Sequence, residues 1–464
     1  MIFVYLDWNV ISQIKAGYHE QLKYIIKQHN RIITPFSTSH ISDLFASYTN
    51  DSEQLKIIEE DLNYISFLTK DYCLFNDGQE IKLYEDDPKR LFDQRIAEKD
   101  LFKNFNLDTI FEVSKNDQTL TEFSNSLVNL IKSIPLDKPF IDALSNPESS
   151  EILNNMFPGL RDNPTMEGFF NSMGKMLANL NEGEGYKDLR EIIQSGLQIK
   201  RDQFFNADDP YEKIDKAYEK FGINDLSPYQ PMDKSGPKWF NEITNEYLML
   251  DMHGYQEDRV KVGKGRKETF SNTTEDSFHA AFASMCNFYI INDKRSFNKT
   301  NQVYKKLELN TLVFKPQEFV EYYELYLKSR PYTIDLKIPF KYLEFDNYSE
   351  QTSGDNTLRT YHLPHFLFDF FNKMTVLLNR EKKMELIVLG QFKPSNKTYT
   401  FHFEVINLYP RLIEALGEDA DKFGEIRYTE LISEEWRGRR WEFESITFKL
   451  TRKNGRYQLY YYFN

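Results

Sequence analysis

Residues 1–10, MIFVYLDWNV, decide the reading of this chain. Ile2 to Leu6 is a short, β-rich apolar run and is expected to form a buried strand. Asp7 ends it. A carboxylate at the C-terminal end of a buried strand points into the crevice where open α/β sheets bind ligands. Asn9, two residues on, is placed to reach the same ligand. The plainer role for Asp7 is to cap the helix that follows. Working outward, Leu22, Ile25 and Ile26 carry helical spacing within His19–His29. Arg31 to Phe36 reads as a second strand, and Ser39 to Tyr48 as a helix with Ile41, Leu44, Phe45 and Tyr48 on one face. Strand, helix, strand, helix in this order predicts a parallel α/β sheet.

The pattern then changes. From about 50 to 270, helical periodicities dominate, in Gln54–Thr69, Leu120–Ile134, Met166–Asn181 and Tyr186–Phe204. After this mostly helical region the α/β pattern resumes. A helix is predicted over Phe278–Cys286, strands over Phe288–Ile291 and Thr311–Phe314, and a helix over Pro316–Leu327. Arg330 and Pro331 mark a linker. The remaining residues carry a predicted helix, Phe366–Leu378, and strands at Glu385–Leu389, Tyr399–Val405, Glu442–Leu450 and Tyr457–Phe463. Asn454-Gly455 between the last two strands is a hairpin signal. The expected architecture is an α/β domain with a central parallel sheet, split between 1–50 and 271–329. A helical insertion fills 51–270, and an α+β domain with an antiparallel sheet fills 330–464.

Three more carboxylates follow the lead of Asp7. Asp43 lies in the helix SHISDLFASY, where a lone Asp is ordinarily a solvated residue. Asp276 lies in TTEDSFHAAFA. Thr273 stands three residues before it, so a capping box is one reading; a carboxylate facing a metal and phosphate from the first helical turn is the other. His279 is one turn on, able to contact a phosphate or to fill the helix–sheet junction. Asp293 follows the apolar run FYII, flanked by Asn292 and Lys294, and is a second carboxylate at a strand end. Phosphodiester hydrolysis needs an activated water and a neutralised leaving oxygen, which Mg²⁺ or Mn²⁺ provides. Carboxylates converging on one crevice repel one another unless a divalent cation lies between them.

With these residues in view, the sequence resembles the PIN domains, RNase-H-like metal nucleases. VYLDWNVIS resembles the family's first strand and first acid, and TPFSTSHISDL its second strand and the helix bearing the second acid. EDSFHAAFASMCNFYIINDKRSF resembles the third acid, its helix, the next strand and the fourth acid. NTLVFKPQEFVEYY resembles the last strand and helix. The resemblance implies a three-layer PIN-like fold and Mg²⁺ or Mn²⁺ held by Asp7, Asp43, Asp276 and Asp293. Asn9, Asn292 and His279 would support them. It implies a nuclease, with RNA favoured over DNA, of the kind found in bacterial toxins and phage defence. The chain departs from the family in carrying Asp43 where Glu is usual, Asn292 where Thr or Ser is frequent, and more than 200 residues between Asp43 and Asp276. The Asp at 43 keeps open a catalytically silent scaffold that binds nucleic acid or protein. An assembly subunit, docking a protein partner or a second copy through the C-terminal domain, is the third reading.

The net charge of −13 does not mark a nucleic-acid binder, but a nuclease needs only a local basic path. Arg259, Lys261, Lys264, Arg266 and Lys267, with Lys294, form the candidate path; a solvated loop is the alternative. GKGRKET lacks phosphate-loop spacing. Trp436, Arg437, Arg439, Arg440 and Trp441 make a second basic-aromatic cluster, read as an edge strand covering its own hydrophobic residues. Tyr460–Phe463 reads as a buried central strand or an oligomer contact. His362 and His365, separated by Pro364 and with no nearby acid or Cys, make a poor zinc site. Two cysteines, Cys73 and Cys286, point to a reducing compartment. The N-terminal run reads as a strand and not a signal peptide, and no apolar run approaches the ~18 residues that span a bilayer. A cytoplasmic protein with no membrane association is expected.

Overall fold

The computed structural model describes residues 1–49, 51–103, 185–220, 236–257, 270–398, 400–433 and 436–463, with a few positions between 159 and 172. The predicted helix Leu120–Ile134, most of Met166–Asn181 and the basic run 259–267 lie outside them.

Among the described residues of the first 330, seven strands form: β1 (Ile2–Leu6), β2 (Ile32–Ile33), β3 (Phe36–Ser37), β4 (Tyr72–Asn76), β5 (Ile81–Glu85), β6 (Phe288–Ile290) and β7 (Leu312–Phe314). Four of them form a parallel sheet in the order β2-β1-β6-β7. Strand β1 is central, pairing Ile2 with Ile32 on one side and Val4 with Phe288 on the other. Its side chains alternate between two cores. Ile2, Val4 and Leu6 join Val10, Ile14, Leu22, Ile25 and Phe319 on one face. Phe3 and Tyr5 join Phe240, Tyr247, Phe282 and Val303 on the other. Helices therefore cover both faces, which is why β1 reads as continuous apolar sequence.

The second predicted strand, Arg31–Phe36, is divided. Ile32–Ile33 stays in the parallel sheet, whereas Phe36–Ser37 pairs with Cys73–Leu74 in a separate three-stranded sheet, order β3-β4-β5. Pro35, which has no N–H to give a ladder, lies between the two pieces. The mostly helical region thus contributes the hairpin β4–β5 as well as helices Ser52–Thr69, Pro88–Lys103, Gly185–Gly196, Pro210–Glu219 and Lys238–Met252.

The C-terminal part is a seven-stranded antiparallel sheet built from β8 (Ser349–Ser353), β9 (Asn356–Leu367), β10 (Phe371–Leu378), β11 (Met384–Gly390), β12 (Arg439–Glu442), β13 (Ile446–Lys453) and β14 (Arg456–Phe463). Its order is β12-β13-β14-β11-β10-β9-β8. Two expectations fail here. Phe366–Leu378 is no helix but the end of β9, a turn and all of β10. The strand expected over Tyr399–Val405 is replaced from His402 onward by helix His402–Leu416, which packs Val405, Leu408, Tyr409 and Leu412 on the sheet's core. Asn454 and Gly455 turn β13 into β14 with φ of 50° and 69°. Gly455→Val forces a β-branched residue into that left-handed region and should cost about 1–3 kcal/mol. Urea denaturation showing no loss of stability would contradict this.

A buried network ties the two parts together. Arg31, just before β2, donates from Nε and Nη2 to Asp369 in the β9–β10 turn, the closest contact being 2.7 Å. Arg411 lies 3.7 Å from the same carboxylate, and the Tyr332 hydroxyl donates to it at 2.9 Å. Among the described residues, no helix is long and apolar enough to cross a membrane.

A candidate acidic site at the parallel-strand ends

Asp7 and Asp293 both stand at C-terminal ends of neighbouring parallel strands, β1 and β6. Both also cap helices. Asp7 accepts from the Asn9 backbone N–H at 3.3 Å at the start of helix Trp8–Lys15. Asp293 accepts from the N–H groups of Arg295 and Ser296 at 2.9 and 2.8 Å at the start of helix Lys294–Lys306. The capping role and a place in the crevice coexist in both residues. Asp7 is buried, with 4% of its surface exposed, whereas Asp293 is exposed.

The helix carrying Asp276 starts earlier than its periodicity suggests, at Phe270, and runs to Ala283. Asp276 is therefore in the second turn, so neither the capping box nor a helix N-terminus explains its placement. Its carboxylate accepts from the Ser296 hydroxyl at 3.1 Å. Asp43 projects from helix Thr38–Ala46 and meets His279 Nε2 at 2.9 Å. His279 is buried, and its Nδ1 lies 2.8 Å from the Tyr5 hydroxyl. Tyr5 also contacts Ser37 Oγ at 2.6 Å, and His40 stacks edge-on against His279. Tyr5 and Asp7 share one face of β1 by simple alternation.

The electrostatics follow from this crowding. Burial pushes the Asp7 carboxyl up to about 6; His279 opposes the shift, and Asp43 and Asp293 add to it. Burial also lifts Asp276 to about 7, against Lys299 and with help from Asp7 and Asp43. Glu275, a fifth carboxylate, is raised to about 7 by burial and then by Asp43. Burial alone would lower the pKa of His279, but Asp43, Asp7 and Glu275 outweigh it and hold the imidazolium to about 9. His279 is thus the resident cation of the cluster.

Other cations stand near but are directed elsewhere. Lys299 donates to Asp251 at 2.6 Å. Lys315 donates to the backbone carbonyls of Asn292 and Asp293, each at 2.8 Å. The supporting asparagines face outward: Asn9 is exposed, and Asn292 donates to Gln13 Oε1 at 2.9 Å. Lys294 is exposed beside Asp293. Beyond it, Arg295 and Arg201 lie 5.8 and 5.7 Å from the ring of Phe205. Arg201 is also paired to Glu257 at 2.7 Å, and this basic-aromatic group had no sequence signal beyond its composition.

Sequence reading missed Tyr5, Ser37, His40, Glu275, Ser296 and Lys315. Four of these were within reach of spacing arguments. Tyr5 is two before Asp7 on a strand, His40 is three before Asp43 on a helix, Ser296 is three after Asp293, and Glu275 adjoins Asp276. Tyr5→Phe removes the hydroxyl that both Ser37 and His279 contact, and should destabilise the fold by about 1–3 kcal/mol. An unchanged urea midpoint would show that the hydroxyl makes no net contribution.

The carboxylates are oxygen donors of the kind hard divalent cations take, and their mutual repulsion is the state such a cation relieves. Among the described residues, however, no three His, Cys, Asp or Glu side chains converge closely enough to form a ready ligand set. Several of the remaining candidates resolve into packing, whereas Arg437 and Tyr462 are exposed. Arg439 and Trp441 are buried on edge strand β12, with Arg439 paired to Glu430 at 3.0 Å. Tyr461 is buried in β14, an interior strand. His365 contacts the Tyr326 carbonyl, and His362 stacks on Phe392. Cys73 and Cys286 are buried free thiols. No protein-family model, curated protein or solved structure matches this chain.

Proposed function

We propose that the chain is a metal-dependent nuclease with a PIN-like core, acting on RNA. The observation that carries the reading is the pair Asp7 and Asp276. These two carboxylates, from a strand end and a facing helix, are raised to about 6 and 7 by burial first, with Asp43 and Asp293 adding to the shift of Asp7 and Asp7 and Asp43 to that of Asp276, and among the described residues no cationic side chain is hydrogen-bonded to either. Asp7, Asp276 and Asp293, joined by Asp43, would hold Mg²⁺ or Mn²⁺. The cation would supply an activated water and neutralise the leaving oxygen. His279 holds Asp43 in place and offsets the negative charge while the site is free of metal. Lys294, exposed beside Asp293, would be the nearest cation for a scissile strand's phosphate. The preference for RNA, and a role in bacterial defence, rest on the resemblance to PIN domains.

A catalytically silent scaffold is the second reading. The absence of a converged ligand set among the described residues favours it, as does the engagement of Asp43 by His279. The deciding assay offers labelled single-stranded RNA, structured RNA, single-stranded DNA and duplex DNA to the full chain with Mn²⁺ or EDTA. Cleavage of RNA that EDTA stops supports the nuclease. No cleavage, together with no carboxylate-dependent uptake of Mn²⁺, would replace it with the scaffold.

A further inference from the structure

A second polar site lies at the other end of the parallel sheet, where β7 begins and the antiparallel sheet packs beside it. Between β10 and β11, Lys373 stands opposite Gly390 and Thr375 opposite Val388. Their neighbours Met374, Val376, Ile387 and Leu389 are buried in the core, so these four positions occupy the opposite face of the sheet. Gly390 leaves that face open: a Cβ there would meet no atom within 4 Å. The segment 391–398 rises beside it as a wall, tied to the parallel-sheet part by the Asn310 N–H donating to Ser395 Oγ at 3.0 Å and by Asn396 donating to Ser284 Oγ at 2.8 Å. Together they enclose a cavity of about 470 Å³. That is the size of a small-molecule site.

The lining is one-sided in charge. Among the described residues it contains Lys373, Lys393, Lys397 and Arg456 and no Asp or Glu, in a chain whose net charge is −13. Lys397 is matched by the buried Glu404 at 2.6 Å. Lys373, Lys393 and Arg456 form no ion pair with a described residue. Lys393 is held down to about 8, by burial first and then by Lys397 and Arg456, against the pull of Glu404. A cavity that gathers cations against their mutual repulsion is complementary to an anion of several charges. Asn310, Thr375 and Gln458 add neutral hydrogen-bonding groups around it.

We propose that this cavity binds a small phosphorylated molecule, with its phosphate oxygens held by Lys373, Lys393 and Arg456. The proposal goes beyond the nuclease reading and stands without it, because its readout is binding.

The test is calorimetric titration of the full chain, in EDTA so that no metal-mediated contact contributes, with inorganic phosphate, AMP, ATP and a short single-stranded RNA. The same titrations are made on Lys373→Ala/Arg456→Ala, which alters only the cavity's rim, and on Gly390→Trp, which fills it. Melting curves check that both variants fold. Saturable binding of phosphate, AMP or ATP is expected, weakened about tenfold or more in the double variant and lost in Gly390→Trp. No saturable binding of these three probes at millimolar concentration overturns the proposal. So does binding that both variants leave unchanged, and so does binding of the RNA alone, which would make the cavity part of a strand path.

Discussion

Asp7→Asn is expected to abolish cleavage, by about a hundredfold to a thousandfold or more, while the metal-free protein becomes more stable. The two effects share one cause. Asn caps the helix Trp8–Lys15 as well as Asp does, so the local fold is kept. What is lost is a buried charge. The Asp7 carboxyl titrates near 6 in the folded chain, against 3.8 for the free group. Between those values the unfolded chain has released its proton and the folded chain has not, so stability falls as pH rises through that window and stays lower above it. Asp276 and Glu275, both near 7, extend the window upward. His279 adds a further loss at higher pH: its contribution is complete below 6.5 and gone above about 9. Asp7→Asn should therefore melt higher than the parent at pH 8, by on the order of 2 kcal/mol, and nearly with it at pH 4. Equal gains at both pH values would mean that the charge at Asp7 is not what strains the site. Full activity in Asp7→Asn would remove Asp7 from the catalytic set.

Asp369→Ala should be the most damaging change away from the acidic site, costing about 3–5 kcal/mol. The substitution leaves Arg31 and Arg411 buried without their shared carboxylate and removes the acceptor for the Tyr332 hydroxyl. It also removes a residue suited to its backbone, since Asp369 has a φ of 49°. Asp369→Asn separates the two contributions, because Asn tolerates the left-handed region but carries no charge. Its loss should fall between those of the parent and the Ala variant in urea denaturation. A loss under about 1 kcal/mol for Ala would place this bridge with exposed ion pairs and contradict its burial.

That same turn shows why part of the fold was hidden in the sequence. The parallel sheet was legible because β1 and β6 are short apolar runs, each ending in an acid, and because the amphipathic helices around them keep regular spacing. The β9–β10 hairpin was not. Phe368 and Asp369 both adopt positive φ with no Gly or Asn to announce it. The conformation is held by Arg31, more than 300 residues away in sequence, so a local reading sees a largely apolar stretch with scattered polar residues and assigns a helix. In helix His402–Leu416 the apolar positions do recur with helical period, but Pro410 interrupts the pattern from inside. At the acidic site the carboxylates stood out by type and position. His279 stood out beside Asp276, but Tyr5, Ser37 and His40, which surround it, did not, because they meet it only after three distant segments come together.

The pairing of β1 with β6 has a consequence for synthesis on the ribosome. Val4 lies against Phe288, so the central strand waits for a partner made 284 residues later. At typical elongation rates that is a delay of roughly 15–60 s. During this interval the N-terminal strand and Asp7 exist, but Asp276 and Asp293 do not. A nascent chain released early therefore carries Asp7 and Asp43 but neither Asp276 nor Asp293. Whatever chemistry the finished site performs, truncated products cannot perform it.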